Sequence, residues 1–133
     1  MINHITLCVT DREKSKRFYA AALAPLGYEL FDHQDSDGDI GLGTKDDQGW
    51  RDVWLKEVEE LGSPRSFSCL AFTASSKQQV DEFYHAALAN GGTDNGKPGY
   101  RTKYYAGYYA AFVLDPDGYN IEVVYDDPSP PNE

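Results

Sequence analysis

The sequence predicts an α+β fold: two tandem βαβββ modules whose strands form a curved mixed sheet around a cleft, with helices outside. Three observations carry this. First, the chain nearly repeats itself: Phe18-Tyr19-Ala20-Ala21-Ala22-Leu23-Ala24 returns as Phe83-Tyr84-His85-Ala86-Ala87-Leu88-Ala89, 65 positions later. A displacement of half the chain means one module used twice. Second, strand and helix periodicities alternate in the same order in both halves. Third, one such module leaves a sheet face bare, whereas two side by side enclose a cleft.

The elements follow in order. Ile5, Leu7 and Val9 alternate with His4, Thr6 and Cys8, a strand with one aliphatic face and one polar face. Cys8 is expected to pack in the interior. Thr10-Asp11-Arg12-Glu13 reads as a capping box opening a helix through Phe18, Tyr19, Ala22 and Leu23, which Pro25 and Gly27 end. Strands are predicted at 28–31, 40–43 and 52–55, with turns at 35–39 and 45–49 between them. The aspartates at 35–39 lack the Gly and Glu spacing of a calcium loop, and Gly41-x-Gly43 has no following helix to make a phosphate loop.

Residues 62–64 form a connector. The second module opens with a strand at 68–73 and a capping box at 75–79. Val80, Phe83, Tyr84, Ala87 and Leu88 follow at helical spacing, and Asn90-Gly91-Gly92 stops the helix. A Gly- and Tyr-rich stretch runs to Gly107. A strand at 108–114, the tight turn Asp115-Pro116-Asp117-Gly118 and a strand at 120–125 complete the module. The domain limits expected are 1–61 and 66–126 for the modules, one domain over 1–126, and a flexible Pro-rich tail at 127–133.

Composition narrows the function. Twelve basic against twenty-two acidic side chains give a net charge of −10, which argues against nucleic acid and permits a cationic ligand. No apolar run approaches the roughly 18 residues of a membrane span. The first residues are already strand-like and carry no signal-peptide pattern, and the two cysteines are expected as thiols; the cytoplasm is the expected compartment.

Chemistry is sought where the repeat departs from itself. The 65-residue offset carries His4 onto Cys69. Glu122 lies between Ile121 and Val123 in an apolar strand, where a carboxylate is costly unless paired, metal-bound or protonated. An ion pair with Arg or Lys is the bland alternative. His4 alone reads as a core histidine, a ligand or a proton carrier. Cys69 is a thiolate ligand or a small buried hydrophobe. Tyr100, Tyr104, Tyr105, Tyr108 and Tyr109 are dense; half would pack the sheet, and the rest, with Arg101 and Lys103, would line a cleft for a flat or cationic ligand. His33 and His85 fall outside this constellation.

The duplicated βαβββ order, the opening Ile2-x-His4-Ile5-Thr6-Leu7, the closing Asp115-Pro116-Asp117-Gly118-Tyr119-Asn120-Ile121-Glu122 and the Phe-Tyr-x-Ala-Ala-Leu helices resemble the vicinal oxygen chelate superfamily. That group includes glyoxalase I, extradiol dioxygenases and bleomycin-resistance proteins. The resemblance covers residues 1–126. It implies an inward metal ligand on the first strand of each module and a Glu on the last strand. His4, Cys69 and Glu122 match these positions, with Cys69 in place of the usual His. A fourth ligand, on the strand after Gly49, does not align; Asp52, Trp54 and Glu57 are the residues there. Lys103, Tyr104 and Tyr105 stand where relatives place substrate-binding residues.

The function this implies is a glyoxalase- or dioxygenase-like enzyme. A divalent metal (Zn, Ni, Mn or Fe) would chelate substrate oxygens and stabilise an enolate-type anion, with Glu122 as ligand or catalytic base. The alternative is a metal-free protein that sequesters a drug or metabolite in the same cleft. The partners expected are a small molecule and, as is common among relatives, a second copy in a homodimer, with no nucleic acid and no membrane.

Overall fold

The computed structural model describes residues 2–32, 39–44, 52–62 and 69–131. The first module runs β1 (Ile5–Val9), α1 (Arg12–Leu23), a 3₁₀ turn (Ala24–Leu26), β2 (Tyr28–Asp32), β3 (Ile40–Thr44) and β4 (Val53–Glu57). The second runs β5 (Leu70–Thr73), α2 (Lys77–Ala89), β6 (Thr93–Tyr100), β7 (Tyr108–Leu114) and β8 (Asn120–Asp126). This is the tandem βαβββ order the sequence predicts. The 65-residue offset maps β1 onto β5 and α1 onto α2.

Each module builds a four-stranded sheet, in the orders β1-β4-β3-β2 and β5-β8-β7-β6. The first strand of each pairs parallel to the last, and the remaining pairs are antiparallel. The parallel pairs require a crossover, which the helix supplies.

Alternation decides what each sheet buries. Leu7, Val9, Val53 and Leu55 of the first module and Phe72, Val113, Ile121 and Val123 of the second join one core cluster with the helices. The repeated Phe-Tyr pair supplies its largest members: Phe18, Tyr19, Phe83 and Tyr84 are all buried. Each such aromatic contributes roughly 2–3 kcal/mol by leaving water. Ala22 and Ala87, also fully buried, let α1 and α2 pack against each other. The helices therefore meet between the modules, α1 resting on β2 and β4 and α2 on β6, β7 and β8. The opposite face of each sheet lies outside this core; we call it the open face.

The helix starts show how local chemistry is shared out. Ser76 caps α2 by accepting from the Gln79 N–H at 3.2 Å, while Gln79 Oε1 accepts from the Ser75 N–H at 2.6 Å. In α1 the cap is Asp11, accepting from the Lys14 N–H at 3.1 Å, and not Thr10. Thr10 is diverted to the second module: its N–H donates to Asp117 Oδ2 at 3.1 Å and its hydroxyl to Asp117 Oδ1. The tight turn at 115–118 is thus also a docking element. Asp115 accepts the Tyr19 hydroxyl from α1, and the Tyr119 hydroxyl donates to the Cys8 carbonyl at 3.0 Å.

Strand β6 is the one element hidden in the Gly- and Tyr-rich stretch. Its sequence, Thr-Asp-Asn-Gly-Lys-Pro-Gly-Tyr, has no apolar alternation, and its pairing with β7 shifts register twice, between Asp94 and Gly96 and between Gly96 and Gly99. An edge strand with bulges tolerates Gly and Pro. His33 and most of the two turns at 35–39 and 45–49 lie outside the described residues.

Candidate functional site

Glu122 lies on the open face of the second sheet, because Ile121 and Val123 on either side enter the core. The register places Ala71 of β5 and Phe112 of β7 beside it. It is only 3 % exposed. One carboxylate oxygen accepts the Tyr108 hydroxyl, and the other faces the Cys69 Sγ at 3.6 Å. Among the described residues no cation pairs with it, so the bland ion pair is not made. Two weakly acidic donors, a phenol and a thiol, hold the buried carboxylate instead.

The same contacts shift the titration of its partners. Burial first, then the bond to Glu122, push the Tyr108 phenol well above its ordinary range. Burial and then the charge of Glu122 push the Cys69 thiol upward. Both shifts favour the protonated donor that faces the carboxylate.

His4 lies elsewhere. It directly precedes β1, is exposed, and its Nδ1 is 2.7 Å from Asn3 Oδ1. The structure brings Cys69 and Glu122 together and leaves His4 apart from them. Among the described residues no group of three or more His, Cys, Asp or Glu side chains is placed to hold a metal. Glu57, the last residue of β4, accepts from the Arg12 N–H at 2.7 Å and serves the start of α1. Asp52 accepts the Tyr28 hydroxyl at 2.8 Å. Among the described residues of one chain, Glu122 and Cys69 are the two donors brought together, and one oxygen of Glu122 is already bound to a phenol, short of a metal-ligand set. Cys8, expected to pack, is exposed, because its face of β1 is the open one.

The tyrosines divide by sheet face. Tyr109 reaches back to α2, donating to Asp81 at 2.7 Å, and stacks edge-on with Tyr100 at 5.0 Å. Tyr108 points the other way, its ring 4.8 Å from Tyr104 and 5.1 Å from Tyr105. Tyr105 donates to Asp126. Lys103 and Tyr104 border a pocket of about 290 Å³ together with Asn95, Gly96, Arg101, Phe112 and Asn120. Phe112 joins this pocket to Glu122, its cross-strand partner. Phe112, Asn120 and the role of Tyr108 were not picked out from the sequence. The turn at 115–118 was the available signal, since it sets the hairpin register that aligns Tyr108, Phe112, Asn120 and Glu122 on one face.

A buried carboxylate on an open sheet face, in a duplicated βαβββ frame, defines a class. Residues 1–123 match the family model of the Glyoxalase/Bleomycin resistance protein/Dioxygenase superfamily, and the chain belongs to that superfamily. Uncharacterized protein YqjT of Bacillus subtilis (strain 168) is 33% identical over 137 residues, covering 92% of this chain and 97% of YqjT. A glyoxalase/bleomycin resistance protein from Albidiferax ferrireducens T118 superposes with a TM-score of 0.75 at 28% identity, over 92% of this chain and 96% of that one. A mutant of the fosfomycin resistance protein FosX of Listeria monocytogenes, complexed with Mn(II) and 1S,2S-dihydroxypropylphosphonic acid, superposes with a TM-score of 0.66. At 19% identity, over 93% of this chain and 88% of that one, it shares the fold. No helix among the described residues is long and apolar enough to cross a membrane.

Proposed function

We propose that this protein binds a small molecule on the open face of its second sheet, without a metal held by the single chain. The observation that carries this is Glu122: buried, unpaired by any cation among the described residues, and supported by Tyr108 and Cys69 beside a pocket. A buried charge without a cationic partner is costly to the fold, and such groups cluster at functional sites. Lys103 and Tyr104 meet the ligand from the pocket rim. Tyr105 acts behind them, through its ring contact with Tyr108. The two free thiols suit the cytoplasm as compartment.

A second reading is favoured by one observation, the 3.6 Å approach of Cys69 to Glu122 at positions where the superfamily resemblance implies ligands. Metal-dependent chemistry of the glyoxalase or dioxygenase type would need His4 brought to that pair, and within one chain it lies apart. A homodimer supplies a route. Thr6 and Cys8 on one open face and Ala71 and Thr73 on the other are exposed strand residues, which a second copy laid face to face would cover, bringing its first sheet over Glu122.

Thermal denaturation separates the two. The binding reading expects a melting temperature indifferent to Zn²⁺, Ni²⁺, Mn²⁺, Fe²⁺ and chelator. A site-held metal at one hundred times its dissociation constant adds about 2.7 kcal/mol, or roughly 8–11 °C for a domain of this size. A gain of that size, lost in Glu122→Gln, refutes the binding reading. Sedimentation equilibrium tests the dimer: a monomer at every concentration removes the route by which His4 reaches the site.

A further inference from the structure

The pocket beside Glu122 has a charge opposite to that of the chain. With twenty-two acidic residues in the sequence, a concavity would ordinarily collect carboxylates. Among the described residues this one has none: its polar lining is Arg101, Lys103, Asn95 and Asn120, with Phe112 and Tyr104 as its aromatic walls. Among the described residues neither Arg101 nor Lys103 makes an ion pair. The two cations converge on the pocket with no carboxylate among its described lining.

Arg101 is also held in place. Its Nη1 donates to the Gly99 carbonyl at 2.8 Å and its Nη2 to the Lys97 carbonyl at 2.7 Å, and its guanidinium carbon lies 5.4 Å from the centre of the Phe112 ring. Two carbonyls and an aromatic ring fix the plane while its other N–H groups remain available. Gly96 makes the room. A Cβ there would stand 3.0 Å from Phe112 Cδ1 and 3.1 Å from Arg101 Nη2, in the pocket itself. The two register shifts of β6 flank this glycine, so the edge strand is bent where the guanidinium lies. A guanidinium immobilised before binding loses little entropy on binding, and its planar fork matches a carboxylate or phosphate. Composition alone admitted a cationic ligand; the lining of this pocket reverses that.

We propose that the pocket takes a small organic anion. Its charged head sits on Arg101 and Lys103, and a flat apolar body lies against Phe112 and Tyr104. This rests on the reading that the ligand site is the open face of the second sheet, and it adds the chemical class of the ligand.

The test uses benzoate as probe and benzamide, nearly the same shape without the charge, as comparator. Binding is followed by calorimetry and by NMR shifts of the full chain. Benzoate is expected to bind at least about tenfold more tightly than benzamide, since a charge-assisted pair adds on that order. Arg101→Ala should abolish this preference. Arg101 also braces β6, so Lys103→Glu, at an exposed position, provides a variant that leaves the fold intact; it should weaken benzoate by about tenfold relative to benzamide. Equal binding of the two, with shifts at Tyr104 and Phe112, overturns the anion and leaves the site. A benzoate preference unmoved by Lys103→Glu places the anion elsewhere and overturns the assignment. No response to either at millimolar concentration overturns both the anion and the site.

Discussion

Replacing Tyr108 by Phe removes one oxygen and tests how Glu122 is kept in the protein. The hydroxyl donates to a carboxylate that is 3 % exposed and, among the described residues, has only the Cys69 thiol, at 3.6 Å, as its other partner. A hydrogen bond to a charged acceptor is worth about 1.5–3 kcal/mol, and leaving that acceptor unsatisfied in the interior incurs its desolvation as well. The expected loss is about 2–3 kcal/mol, or roughly 6–12 °C in melting temperature for a chain of this length. Urea denaturation at pH 7, fitted with a common slope, measures it directly. In a Glu122→Gln background the same substitution should cost about half as much, because a charge-assisted bond is about twice as strong as a neutral one. If Tyr108→Phe is neutral within about 0.5 kcal/mol, water reaches Glu122 and the description of a sealed carboxylate is wrong.

Other substitutions test the frame around the site. Tyr19→Phe removes the hydroxyl that Asp115 accepts across the module boundary, and urea titration should show a loss of about 2 kcal/mol. Gly107→Ala would drive its Cβ into the Asp127 carbonyl, whose residue also donates its N–H to the Gly107 carbonyl at 2.8 Å; a loss of about 1–3 kcal/mol is expected, with NMR shifts concentrated at 126–129. Asp32 is held down to about 2 by Lys16 and Arg12, which stabilises the fold above the ordinary carboxylate value of 3.8 and ceases to do so as pH falls toward 2. Asp32→Asn should therefore be less stable than wild type at neutral pH, with the difference shrinking between pH 4 and 2 when melting temperatures are compared.

The first strand and helix of each module were legible because their signals are local and periodic. The aliphatic alternation of β1 and the Phe-Tyr helix face each specify an element without help from the rest of the chain. Strand β6 was not, since a bulged edge strand needs neither apolar alternation nor β-branched residues, and its pairing with β7 supplies the order its sequence lacks. Thr10 illustrates a second kind of loss. Its local pattern is that of a helix cap, but Asp117, 107 residues away, competes for the same hydroxyl. At the site, the buried character of Glu122 could be read from Ile121 and Val123. That its partners are Tyr108 and Cys69, and not a cation, depends on the β7–β8 register and on the parallel pairing of β5 with β8. Cys8 was misplaced because its sequence shows alternation but not which face of β1 is covered.

Whether the ligand occupies the open face of the second sheet is decided by chemical-shift mapping on the whole chain. With benzoate added in steps, shifts are expected at Arg101, Lys103, Tyr104, Phe112 and Asn120 and smaller ones at Tyr108 and Glu122, with β1 to β4 unmoved. Shifts confined to the first sheet, or distributed along the α1–α2 contact, would contradict that placement of the ligand.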